Sequence, residues 1–129
     1  MNADERRSQS DKLTEAIIGA AYDVSNALGA GFLEKVYENA LCHELGKREL
    51  SFEQQSPLQV AYDNVVVGEY VADVIVEKQV IVELKAVKQL DNNHQAQCMN
   101  YLKATSLSVA LLINFGSPRV EVKRIVNNF

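Results

Sequence analysis

Tyr70-Val71-Ala72-Asp73-Val74-Ile75-Val76, then Glu77-Lys78-Gln79, then Val80-Ile81-Val82-Glu83-Leu84-Lys85-Ala86 decides how this chain folds. Two runs rich in β-branched residues flank a short polar segment, the pattern of an antiparallel hairpin. Side chains alternate along a strand, so Ile81, Glu83 and Lys85 share one face while Val80, Val82 and Leu84 share the other. Glu83 and Lys85 then stand about 6.6 Å apart along the strand. A three-residue loop from Glu77 to Gln79 pairs Val76 with Val80 and carries Asp73 opposite Glu83; a two-residue loop would send the two carboxylates to opposite faces. The spacing predicts the three-residue loop. Two carboxylates directly opposed repel by ~0.2–1 kcal/mol when exposed, and by more in a half-buried pair of strands, so something must compensate them.

Upstream, Leu13, Ile17, Ala20, Val24 and Leu28 recur at helical spacing after Ser10-Asp11, and Gly29-Ala30-Gly31 ends the run. A second helical pattern covers residues 33–45, and at 100° per residue Glu34 points with Leu41 and Leu45 toward the core side. Short strand patterns follow at 51–55, 58–62 and 65–77, broken by Pro57 and Asp63-Asn64. Past the hairpin, Asp91-Asn92-Asn93 opens a helix over 94–103, and strands are expected at 109–113 and 120–126. The order α, α, several β, α, β, β makes the class α/β or α+β, a mixed sheet flanked by helices.

The 129 residues are 47% hydrophobic and 23% charged, which suits one globular domain over 11–129 behind a polar tail over 1–10. No apolar run approaches the ~18 residues of a membrane span, so the expected compartment is the cytoplasm, with no membrane partner. Cys42 and Cys98 have neither CxxC spacing nor a clustered histidine, which excludes a zinc-ribbon or redox motif and leaves buried thiols. His43 and His94 are likewise isolated. A net charge of −4 argues against a protein that coats nucleic acid, but the charge is uneven: residues 1–77 carry 6 basic and 14 acidic side chains, residues 78–129 carry 7 and 3. Arg119, Lys123 and Arg124 suit either phosphate contact or a charged strand edge.

If Glu34 approaches Asp73 and Glu83, three carboxylates face the one ammonium of Lys85 and the cluster sums to −2. A divalent cation would balance it. Oxygen-only donors without His or Cys suit a hard ion, Mg²⁺ or Mn²⁺, and an adjoining lysine can orient or deprotonate water or stabilise charge developing on phosphorus. That chemistry is phosphodiester hydrolysis.

Asp73 followed by Glu83-Leu84-Lys85 resembles the D…(D/E)xK signature of the PD-(D/E)XK nuclease superfamily. Gly31-Phe32-Leu33-Glu34-Lys35-Val36-Tyr37 is similar to the GxxExxY signature of one family within it, as are the blocks 80–87, 96–102 and 111–116; the likeness runs from about Leu13 to Val126. Ala72 stands where the superfamily's name has proline. The resemblance implies a restriction-endonuclease-like core. It implies Asp73, Glu83 and the Leu84 carbonyl as metal ligands, Glu34 as the acidic residue of the preceding helix, and Lys85 as the catalytic lysine. Gln97 and Tyr101 resemble a QxxxY element that positions substrate or the lysine, and their i, i+4 spacing puts them on one helix face; a capped amide and a core-edge ring are the alternative. Glu34 also suits a carboxylate at a helix N-terminus. The expected function is a metal-dependent nuclease-like phosphodiesterase acting on DNA or RNA through metal-activated water, alone, as a homodimer or with a protein partner. The alternative is a catalytically silent binding or scaffold domain on the same fold.

Overall fold

The structure, a computed structural model, describes residues 2–127; residues 1, 128 and 129 of the expected tail and domain lie outside it. Three helices and five strands follow in the order α1 (Ala3–Leu28), α2 (Glu34–Lys47), β1 (Phe52–Tyr62), β2 (Val65–Val76), β3 (Val80–Lys85), α3 (Asn92–Thr105), β4 (Val109–Asn114) and β5 (Glu121–Val126). The strands form one mixed sheet in sequential order. All neighbours are antiparallel except β3 and β4, which run parallel because α3 crosses over between them. This is the expected α+β class.

α1 and α2 cover one face of the sheet, packing Ile17, Ala20, Val24, Tyr37, Leu41 and Leu45 against Val74, Val76, Val80, Val82 and Leu84. On the other face α3 buries Cys98, Tyr101 and Leu102 against Ala72, Ile81, Ala110 and Leu112. The alternation read along β3 is therefore realised, with Val80, Val82 and Leu84 under α1 and α2 and Ile81 under α3. The β2–β3 ladder pairs Val76 with Val80 and Val74 with Val82. Glu77 and Lys78 hold positive φ of 52° and 55°, and the Gln79 amide donates to the Val76 carbonyl, which closes the three-residue loop.

Two expectations are corrected. α1 begins at Ala3 rather than near Ser10, because Asn2 caps it by accepting from the Glu5 amide at 2.8 Å. Residues 51–55 and 58–62 are one strand rather than two. Pro57 does not break it, because β1 is an edge strand, with β2 as its one neighbour, and an edge strand tolerates a residue without an N–H. β1 does carry two irregularities: its register to β2 shifts between Val60 and Ala61, and Gln55 takes a φ of +55° without shifting it. The ladder to β2 pairs Gln54 with Val74 and Ser56 with Ala72 but skips Gln55 and Asp73.

The irregularity at Gln55 turns the hairpin over. Val74 and Val76 pack under α1 and α2, whereas Ala72, at the same strand parity, packs under α3. β1 does the same: Gln54 reaches Glu38 and Asn39 of α2, while Leu58 joins the α3 cluster. Asp73 thus sits where β2 changes its facing. Beyond it the hairpin runs past the end of β3, alongside α3.

Candidate active site

The Gly31-to-Tyr37 spacing closes the loop that aims α2 at the sheet. Tyr37 is fully buried and stacks on Phe115 with centroids 4.7 Å apart and planes at 7°. Its hydroxyl donates to the Gly29 carbonyl at 2.5 Å and accepts from the Phe32 amide at 3.2 Å. Gly29 and Gly31 take positive φ, 69° and 114°, which glycine adopts without steric cost. The first helical residue after this loop is Glu34.

Asp73 and Glu83 are cross-linked through each other's backbone. Glu83 Oε1 accepts from the Asp73 amide at 3.0 Å, and Asp73 Oδ2 accepts from the Leu84 amide at 2.8 Å. Glu83 is 4% exposed and Asp73 half-buried. Burial, and then the Asp73 carboxylate, push the Glu83 carboxyl up to about 8. Asp73 is raised by burial against the lowering effect of its bond to Leu84. Glu34, expected on the core side with Leu41 and Leu45, lies instead at the surface because it is the first residue of α2, ahead of the turns that pack on the sheet; its carboxyl is raised by partial loss of hydration and then by Asp73. Lys85 opposes the rise at all three, so the ammonium and the three carboxylates occupy one region at the end of β3.

Tyr101 is 6% exposed and its phenol is raised by burial and then by Glu83 and Asp73. Gln97 Nε2 donates to the Tyr101 hydroxyl at 3.2 Å, so the expected pair shares one face of α3 beside the carboxylates. Among the described residues no three His, Cys, Asp or Glu side chains are arranged to hold a metal ion. Asp73 and Glu83 each commit one oxygen to an amide instead. The donor set nonetheless fits a hard cation in kind: carboxylate oxygens, held partly dry, with more negative charge than Lys85 neutralises.

Three residues of this region escape a reading of the sequence. Glu38 is 3% exposed and accepts from Lys35 at 2.7 Å, Gln54 at 2.6 Å and Gln55 at 2.8 Å. Its i, i+4 relation to Glu34 was the available signal. Asn114, fully buried, clamps the segment after Lys85: Oδ1 accepts from the Val87 and Gly116 amides at 3.0 Å, and Nδ2 donates to the Val87 carbonyl and to Glu121 at 2.9 Å. Tyr70, 51% exposed, lies 5.8 Å from Tyr101 between ring centroids. Other candidates resolve as structural. His94 completes the capping box of α3 with Asp91, and Arg124 pairs with Asp11 of α1 at 2.8 Å. Cys42 and Cys98 are buried free thiols, pushed up to about 11 and 12 chiefly by burial.

The raised Glu83 carboxyl makes a prediction about stability. In the unfolded chain the group ionises near its ordinary value of 4.5, whereas the folded protein keeps the proton until about 8. Between those values the native state binds more protons, so the metal-free protein should lose stability as pH rises, with the loss complete above about pH 8. Glu83→Gln keeps the hydrogen-bonding carbonyl and has no proton to lose, so the variant should gain on wild type by roughly 3–5 kcal/mol from about pH 5 to pH 9. Denaturant melts in EDTA across that range check it; parallel curves would show that the carboxyl is not held neutral.

A family model of the PD-(D/E)XK nuclease superfamily matches residues 11–125. No curated protein matches the chain. The fold is similar to that of the crystal structure of SSO0001, with a TM-score of 0.58 and 20% identity over 96% of this chain. The chain spans 62% of that protein's length. The residues matched by the family model run from the first half of α1 almost to the end of β5 and include Glu34, Asp73, Glu83 and Lys85. By fold and by sequence the chain belongs to the PD-(D/E)XK nuclease superfamily.

Proposed function

We propose that this protein is a metal-dependent nuclease of the GxxExxY type that hydrolyses phosphodiester bonds of DNA or RNA. One observation carries the reading: the largely buried Asp73 and Glu83 carboxylates are bonded to each other's strands at the end of β3, within the field of Lys85, with Glu34 of α2 close enough to feel Asp73. Asp73, Glu83, the Leu84 carbonyl and Glu34 would hold Mg²⁺ or Mn²⁺. When bound, such an ion polarises the scissile phosphate and lowers the pKa of water. Lys85 orients the attacking water and offsets charge developing on the phosphate oxygens. Gln97 and Tyr101, hydrogen-bonded to each other, hold the substrate against the carboxylates. The reading extends to a cytoplasmic protein that uses a homodimer or a protein partner where a duplex must be spanned. Among the described residues no helix is long and apolar enough to cross a membrane.

The amide bonds that occupy Asp73 and Glu83 favour one rival, a binding or scaffold domain in which the carboxylates only tie β2 to β3. Calorimetry with Mg²⁺ and Mn²⁺ separates the two. In the nuclease, Asp73→Ala should weaken metal binding at least about tenfold, in line with the loss of a charged ligand, and abolish cleavage of mixed DNA and RNA substrates. In the scaffold, neither wild type nor variant binds metal at millimolar concentration.

A further inference from the structure

Where the β1–β2 hairpin runs past β3, it and α3 enclose a cleft of about 790 Å³. Its size falls among sites that take small ligands, roughly 300–1,000 Å³. The lining chemistry is selective. Gln59, Asn93, Gln97 and Asn100 supply amides, Tyr70 and Tyr101 supply rings, and among the described residues Lys103 supplies the one charge and no carboxylate lines the cleft, in a chain with 17 acidic residues. Amides offer a donor and an acceptor side by side, the pattern that meets the edge of a nucleobase. Exposed tyrosine faces stack on any base. The cleft is also continuous with the candidate active site, because Tyr101 and Gln97 belong to both.

We infer that this cleft is a subsite for an unpaired nucleotide, its base laid against Tyr70 and its edge met by Gln59, Asn93 and Asn100. A base within a duplex is stacked and paired, so it cannot enter; the substrate must present an unpaired nucleotide beside the bond to be cut, as a single strand, flap or gap does. Lys103 suits the backbone phosphate of that nucleotide. This inference rests on the nuclease reading for its substrate class and deepens it.

The test is fluorescence anisotropy of the wild-type protein in EDTA, which prevents metal-dependent hydrolysis. The probes are one short labelled sequence as single-stranded DNA, single-stranded RNA, blunt duplex, and an abasic strand of equal length. Both single strands, or one of them, should bind about tenfold tighter than the duplex and the abasic strand, the scale of one base–aromatic stack. Tyr70→Ala should erase that difference, Tyr70→Phe should retain it, and Asn100→Asp should weaken single-strand binding severalfold, because a carboxylate cannot donate to the base edge and repels the polyanionic strand. Both positions are exposed, so the fold tolerates the changes. Equal binding of duplex and single strand, or a Tyr70→Ala variant indistinguishable from wild type, overturns the subsite. Cleavage assays with Mg²⁺ keep the two readings apart. Duplex cleavage unaffected by Tyr70→Ala removes the subsite and leaves the nuclease; Tyr70-dependent single-strand binding without cleavage removes the nuclease and leaves the subsite. Failure to bind any of the probes overturns the subsite.

Discussion

Lys85→Ala is expected to lower the rate of phosphodiester cleavage by about 10³-fold, the middle of the range for losing a positioned acid–base or charge-stabilising group. The lysine is the last residue of β3, and its carbonyl accepts from the Phe115 amide at 2.8 Å, so its backbone is tied to the end of β4. Its side chain is half-buried and lowers the pKa of Glu34, Asp73 and Glu83 alike. Removing the ammonium leaves every expected metal ligand in place and takes away a competing positive charge. Metal affinity should therefore stay the same or tighten while the rate collapses, the opposite pattern from Asp73→Ala. Calorimetric titration beside single-turnover cleavage at saturating Mg²⁺ reads both quantities. An unchanged rate would reduce Lys85 to the partner of a buried carboxylate cluster.

The second large effect is on stability. A Cβ at Gly116 would lie 2.6 Å from the Ala86 carbonyl carbon and closer still to the Val87 backbone. Those atoms are main chain and cannot swing aside, and Asn114 already holds Val87 through two hydrogen bonds. Gly116→Ala should cost about 3 kcal/mol, the upper end of ordinary overpacking, and lower the melting temperature by roughly 10 °C for a chain of this length. Gly46→Ala provides the contrast. Its Cβ would meet nothing within 4 Å, and the site is helical, so the change should stabilise by ~0.5–1 kcal/mol. Because Gly116 packs on the residues that follow Lys85, its alanine variant should also cleave more slowly at temperatures where it is fully folded. Equal melting temperatures for the two alanine variants would mean that the Ala86–Val87 segment yields freely.

Much of this architecture is local, and local features are legible in a sequence. The β2–β3 register followed from the length of one loop, because a hairpin's turn sets its pairing. That register brought Asp73 to Glu83, and β-alternation separated Glu83 and Lys85 from the valines of β3. Helical spacing likewise paired Gln97 with Tyr101. The helix ends were less legible: Asn2 extends α1 to Ala3 although residues 3–9 bury nothing, so no apolar stripe marks that turn. Pro57 reads as a break because the sequence does not say which strand is an edge.

What the sequence by itself determined is therefore the order of helices and strands, one hairpin register and the carboxylate–lysine cluster on it, all products of contacts a few residues apart. The tertiary structure alone decided that α2 brings a second buried carboxylate, Glu38, to hold Gln54 and Gln55. It alone turned the hairpin over at Gln55 and Asp73, and it alone set Asn114 of β4 across the segment that follows Lys85. Each of these joins residues at least 15 positions apart, such as Glu38 to Gln54 or Asn114 to Val87. No local period reports such a pairing, because its free energy exists only once the sheet and its helices have packed.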